Sequence, residues 1–214
     1  LYTHGKLQQA LSESSQMLER FPNSVVLHNI SGASNAALKR FDAAIESYKQ
    51  ALRIKPDYAE VHNNMGSVMK DKGDLEQAIE SYKQALRIKP DYAVAHNNMA
   101  NAMKDKGDLE EAIESYKQAL RIKPDYAEVH NNMGNALSIK GDLEQAIESY
   151  KKALRIKPNF AGAYNNMANA MKDKGDLEEA IESCKQALKI KPDYADAYYN
   201  MANAMKDKGD LAEA

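Results

Sequence analysis

The chain has 214 residues, 43% of them apolar, with 29 Lys and Arg set against 31 Asp and Glu. A formal net charge of −2 gives no whole-chain attraction to nucleic acid or to anionic lipid. No apolar run approaches the ~18 residues that would suggest a membrane span, and a single cysteine, Cys184, excludes an intramolecular disulfide framework or a Cys-rich zinc site.

A period of 34 governs the chain, carried by Pro22, Pro56, Pro90, Pro124, Pro158 and Pro192 and by Gly73, Gly107, Gly141, Gly175 and Gly209. Taken in order, a partial unit (1–24) leads into full units 25–58, 59–92, 93–126, 127–160 and 161–194, and a second partial unit (195–214) closes the chain. The opening LYTHGKLQQA has no initiator Met. A natural N-terminus upstream is therefore expected, with a cytoplasmic location.

Unit 25–58 is irregular. Asn29 is followed by Ile30, and Ala33, Ala36 and Ala37 stand where later units hold polar groups. That end is predicted to be drier and to offer a pocket for one apolar side chain of a ligand.

Unit 59–92 shows the regular pattern. Its second half carries Leu75, Ala78, Ile79, Tyr82, Ala85 and Leu86 at i, i+3, i+4, i+7 spacing, an amphipathic helix. Asp74 is expected as its N-cap, with Gln77 completing a capping box. Pro90 ends it, and Asp91 is placed to cap the following helix. The first half carries a second stripe, His62, Met65, Gly66 and Met69, and Gly73 closes it in a tight turn.

Unit 93–126 repeats this pattern as HNNMANAMKDKG. In 127–160 the Lys-Asp pair becomes Ser138-Ile139, an apolar side chain at the edge of the first-helix face. In 161–194 Cys184 takes the slot of Tyr82, Tyr116 and Tyr150, a buried substitution rather than a reactive thiol. The last unit stops at GDLAEA, halfway through a helix. The protein is thus expected to continue, and its uncapped end repeats to associate end to end.

Helix, turn, helix, turn with nothing left over is an all-α solenoid. The stretch NNMANAMKDKGDLEEAIESYKQALRIKPDYA resembles the tetratricopeptide repeat (TPR) over essentially the whole chain. His at 28, 62, 96 and 130 departs from the usual aromatic, and Met at 65, 99, 133, 167 and 201 from the usual Leu. The resemblance implies a right-handed superhelix in which the first helices line a concave groove.

Asparagines stand in columns on those first helices. Asn64, Asn98, Asn132, Asn166 and Asn200 form one. Asn63, Asn97, Asn131 and Asn165 form another, continued by Tyr199. A third holds Asn101, Asn135, Asn169 and Asn203, with Ser67 before them. An amide offers one acceptor and two donor hydrogens, which suits it to clamp an extended peptide backbone. The other reading is that these amides bond between adjacent first helices and join repeats. TPR arrays of the O-GlcNAc transferase type carry a similar ladder, and the resemblance implies peptide binding. Lys70, Lys104, Lys172 and Ile139 mark the groove edge.

The histidines project in parallel instead of converging, and are read as packing residues, not metal ligands. No nucleophile–base constellation, phosphate loop or isolated carboxylate pair is present. Neither enzymatic activity nor a cofactor is therefore expected in this chain. The chaperone-tail-binding TPR proteins grip a carboxylate with Lys and Arg at slots held here by Asn63, Asn97 and Asn101. The leading expectation is a scaffold that binds a protein or peptide partner, with no nucleic acid and no membrane. The alternative is the substrate-presenting region of a larger glycosyltransferase- or sulfotransferase-type enzyme.

Overall fold

The computed structural model describes residues 4–209, with side chains from Lys6 onward. Among these residues every element is an α-helix. The chain divides into two compact units, Leu1–Gly107 and Asp108–Ala214, each described by itself. Unit 1 contains α1 (His4–Arg20), α2 (Val25–Ala37), α3 (Phe41–Ile54), α4 (Ala59–Lys72), α5 (Leu75–Ile88) and α6 (Ala93–Lys106). Unit 2 contains α7 (Leu109–Ile122), α8 (Ala127–Lys140), α9 (Leu143–Ile156), α10 (Ala161–Lys174), α11 (Leu177–Ile190) and α12 (Ala195–Lys208). The second helix expected in 195–214 falls on residues 210–214, outside the described residues.

The glycine turns form as the spacing predicts. Gly73 ends α4 at φ 94°, and the N–H groups of Gly73 and Asp74 close on the carbonyls of Lys70 and Met69, each at 2.9 Å. Unit 25–58 has no glycine at this slot. Lys39 takes it at φ 59° and builds the same closure, Lys39 to Ala36 and Arg40 to Asn35, each at 2.9 Å.

The helix starts differ from the sequence reading. Asp74 is the N-cap of α5, but its side chain makes no capping bond. Its carboxylate lies instead 3.8 Å from Lys72 Nζ. Asp91 is not a cap at all, because α6 starts at Ala93 with Tyr92 at the N-cap position. The Lys-Pro-Asp-Tyr turn is held by other means. Lys89 Nζ sits 5.0 Å from the centre of the Tyr92 ring, a cation–π contact. His96 Nε2 meets the Pro90 carbonyl at 3.0 Å. A carbonyl only accepts, so this ring nitrogen carries the proton. The same pairs recur as Lys55–Tyr58 and His62–Pro56 in unit 1 and as Lys123–Tyr126 and His130–Pro124 in unit 2. The histidines thus do more than fill space: each ties a first helix to the turn before it.

The second helices bury Ala and Tyr against the first. Ala78, Tyr82 and Ala85 are wholly enclosed. Gly66 lets the ring lie close, since a Cβ there would stand 2.8 Å from the Tyr82 ring, while Ala100 takes the same place in the next repeat. The methionines share this packing, and Met69 Sδ also accepts from Ser81 Oγ at 3.3 Å. In unit 1, α2, α4 and α6 lie side by side; in unit 2, α8, α10 and α12 do. These two rows carry the asparagine columns.

Candidate functional site

Neighbouring helix residues sit about 100° apart around the axis, so the paired asparagines face different surroundings. Asn63, Asn97, Asn131 and Asn165 are buried. Asn64, Asn98, Asn132, Asn166 and Asn200 are half-buried. In unit 1 the amides form a continuous relay. Asn97 Nδ2 donates to Asn98 Oδ1 at 3.3 Å and Asn98 Nδ2 to Asn63 Oδ1 at 3.1 Å. Asn63 Nδ2 then donates to Asn64 Oδ1 at 3.5 Å and Asn64 Nδ2 to Asn29 Oδ1 at 3.4 Å. In unit 2, Asn166 donates to Asn131 at 3.1 Å and Asn200 to Asn165 at 3.0 Å. Each of these inter-helix bonds joins adjacent first helices, so these amides act between repeats.

The third column differs. Asn101, Asn135, Asn169, Asn203 and Ser67 are half-buried on the same helices. Buried tyrosines of the second helices reach them from behind. Tyr150 Oη donates to Asn135 Oδ1 at 2.8 Å, and Tyr82 Oη to Ser67 Oγ at 3.2 Å. Burial pushes Tyr82 up to about 12, so the phenol stays protonated and remains a donor. With its oxygen engaged, the Asn135 amide has its two N–H donors left for other partners. Cys184 cannot play this part, and Asn169 turns to Asp173 at 3.5 Å. A tyrosine recurring fifteen residues after the third column was the available signal for this support, and the sequence reading passed over it.

Along the edge, Lys70 Nζ lies 3.5 Å from Asp71 and 4.0 Å from Asp105. Lys104 pairs with Asp105 at 2.6 Å and Lys172 with Asp173 at 3.1 Å. Ile139 is 64% exposed. In unit 1, a cleft of ≈310 Å³ between α1 and α2 is lined by Leu7, Ala10, Ile30, Ala33, Ser34 and Ala37. It lies at the apolar end that the alanines of unit 25–58 led us to expect.

The TPR repeat family model matches residues 35–73, 68–107, 100–138, 134–175 and 168–209. The chain belongs to the TPR repeat family, whose members are generally non-catalytic scaffolds that bind protein or peptide partners. Among solved structures it is similar to MamA, with 29% identity and a TM-score of 0.70 over 77% of this chain and 96% of that one. PilW, a widely conserved type IV pilus biogenesis factor, gives 23% and 0.82 over 90% of each chain. YrrB, described as a TPR protein with an unusual peptide-binding site, gives 18% and 0.68 over 87% of this chain and 96% of that one. No curated protein matches the sequence. No helix among the described residues is long and apolar enough to cross a membrane.

Proposed function

We propose that the chain is a scaffold that holds an extended peptide segment of a partner protein along its first-helix face. The contacts fall to the third column of each unit, Ser67 and Asn101 in unit 1 and Asn135, Asn169 and Asn203 in unit 2, more than to the paired asparagines. The observation that carries this reading is the Tyr150–Asn135 bond at 2.8 Å. It fixes the amide with its donors available to backbone carbonyls. At a net ~1 kcal/mol per hydrogen bond, a few such contacts give weak binding with little sequence preference. Any selectivity then comes from side-chain pockets. End-to-end association of the repeats is a separate proposal, tested by sedimentation at high concentration.

The test is selection of a random dodecapeptide library displayed on phage, followed by fluorescence anisotropy of a labelled enriched peptide. The triple variant Asn101→Ala, Asn135→Ala, Asn203→Ala should bind it about tenfold or more weakly, as expected for losing a few bonds of ~1 kcal/mol, with its helical content kept. Unchanged affinity, or no enriched peptide, overturns the reading.

A further inference from the structure

Where a regular unit carries the buried tyrosine in its second helix, a polar side chain stands fifteen residues earlier on its first helix. Ser67 stands in front of Tyr82 and Asn135 in front of Tyr150, both hydrogen-bonded. In unit 25–58 the slot belongs to Ala33, which has no polar atom to offer. Tyr48 is 2% exposed, and its hydroxyl has no hydrogen-bond partner among the described residues. Burial pushes its hydroxyl up to about 12, so it remains a proton donor.

Two hollows meet at this place. One, ≈330 Å³, lies between α2 and α4 and is lined by Ala33, Ala36, Ala37, Tyr48, Asn64, Ser67, Val68 and Asp71. The other is the ≈310 Å³ cleft between α1 and α2, and the two share Ala33 and Ala37. Each is at the lower end of the ~300–1,000 Å³ range of ligand sites. Both exist because Ile30, Ala33, Ala36 and Ala37 replace the Asn, Ser, Lys and Asp that stand 34 residues later. Ser34, 5% exposed, lines the α1–α2 cleft. The Tyr48 hydroxyl is not sealed from water, so a donor opens beside an apolar hollow, which suits an occupant that brings polar backbone together with an apolar side chain. Asp71, its side chain 59% exposed, is the one charged residue lining either hollow. This carboxylate lies 3.5 Å from Lys70 and is exposed enough to share with a second cation.

We propose that this end of unit 1 is an anchor subsite for an extended peptide. A bulky aliphatic or aromatic side chain enters the α1–α2 cleft, and a backbone carbonyl accepts from Tyr48 Oη. A Lys or Arg beside the anchor reaches Asp71. The subsite rests on the first-helix face being the peptide-binding face, and it supplies the selectivity that the amide column lacks.

The probe is again the phage-displayed random dodecapeptide library. Enriched peptides should share a Leu, Ile, Phe or Tyr next to a Lys or Arg. Ala33→Asn restores the residue of the later units, gives Tyr48 a partner and fills the hollow. It should weaken the enriched peptide about tenfold while leaving the thermal midpoint unchanged or higher. Tyr48→Phe should weaken it about fivefold, the loss of one hydrogen bond of ~1 kcal/mol. Enrichment without the apolar–basic pair overturns the subsite, as does unchanged affinity in both variants. The wider reading survives if the Asn101, Asn135, Asn203 triple variant still loses affinity. A library that yields no binder overturns both.

Discussion

Asn98 donates its side-chain N–H to Asn63, thirty-five residues earlier and one first helix away, at 3.1 Å. Asn166 does the same to Asn131 at 3.1 Å. Asn131 is buried, so truncating it empties an enclosed site and leaves the half-buried Asn166 amide without its acceptor. An unsatisfied buried polar group costs ~1–3 kcal/mol.

Asn131→Ala should therefore lower the stability of unit 2 by about that amount, measured as a lower urea midpoint by circular dichroism. Affinity for an enriched dodecapeptide should stay within about twofold, below the effect of losing one net hydrogen bond. The opposite pattern, intact stability with lost binding, would place Asn131 on the ligand side.

Lys39 occupies the left-handed region at φ 59°, where the other units use glycine. At Gly73, a Cβ would meet nothing within 4 Å, so the penalty lies in the backbone and not in a clash. Lys39→Gly should stabilise unit 1 by about 0.5–1 kcal/mol, the left-handed strain being partly offset by the greater freedom of glycine when unfolded. Differential scanning calorimetry reads this as a higher midpoint; a lower one would show that Lys39 contributes contacts through its side chain.

His130 donates from Nε2 to Pro124 at 3.0 Å, while its buried Nδ1 has no partner. Burial holds the ring below its ordinary value of 6.5, and Lys152 and Arg155 act in the same direction. The folded state thus takes up a proton less readily than the unfolded chain. Stability is full above about pH 6.5 and falls as the pH drops from there toward the lower folded value. A series of thermal melts from pH 7.5 to pH 5 should show this decline, and His130→Tyr should flatten it. Tyr164 already holds that slot in the next unit. Equal slopes in both proteins would remove His130 as the cause.

Cys184 is fully enclosed, and burial pushes its thiol up to about 11. Thiolate is the reactive form, so a thiol-specific chromogenic disulfide should label the native protein slowly at pH 8 and quickly in denaturant. Rapid labelling of the native protein would mean that α11 opens readily.

The helices and their glycine ends were legible because each follows from local spacing: the apolar stripe of Leu75 to Leu86 and the fixed position of Gly73. The sharing of roles among asparagines was not. Asn63 and Asn135 are the same residue type on corresponding helices, and what separates them is the donor that meets each oxygen, Asn98 of the next first helix for one and Tyr150 of the second helix for the other. The His96–Pro90 bond spans a turn, so helical periodicity carries no trace of it. Asp91 has no capping role because the helix starts at Ala93, with Tyr92 at the N-cap position. Lys39 was readable from the 34-residue register, and only the missing glycine letter concealed it.

The amide relay also has a polarity. α4 in unit 1 and α10 in unit 2 each offer a donor toward the preceding first helix and an acceptor toward the following one, as a hooked carriage carries a coupling at either end. Ile30 deletes the donor from unit 25–58, and Tyr199 deletes the acceptor from the unit that begins at 195. The ladder stops at both letters. In unit 1, α1 still packs on α2, with the Ser14 and Ser31 hydroxyls 2.8 Å apart, so a hydroxyl pair takes over the joining where the amides end.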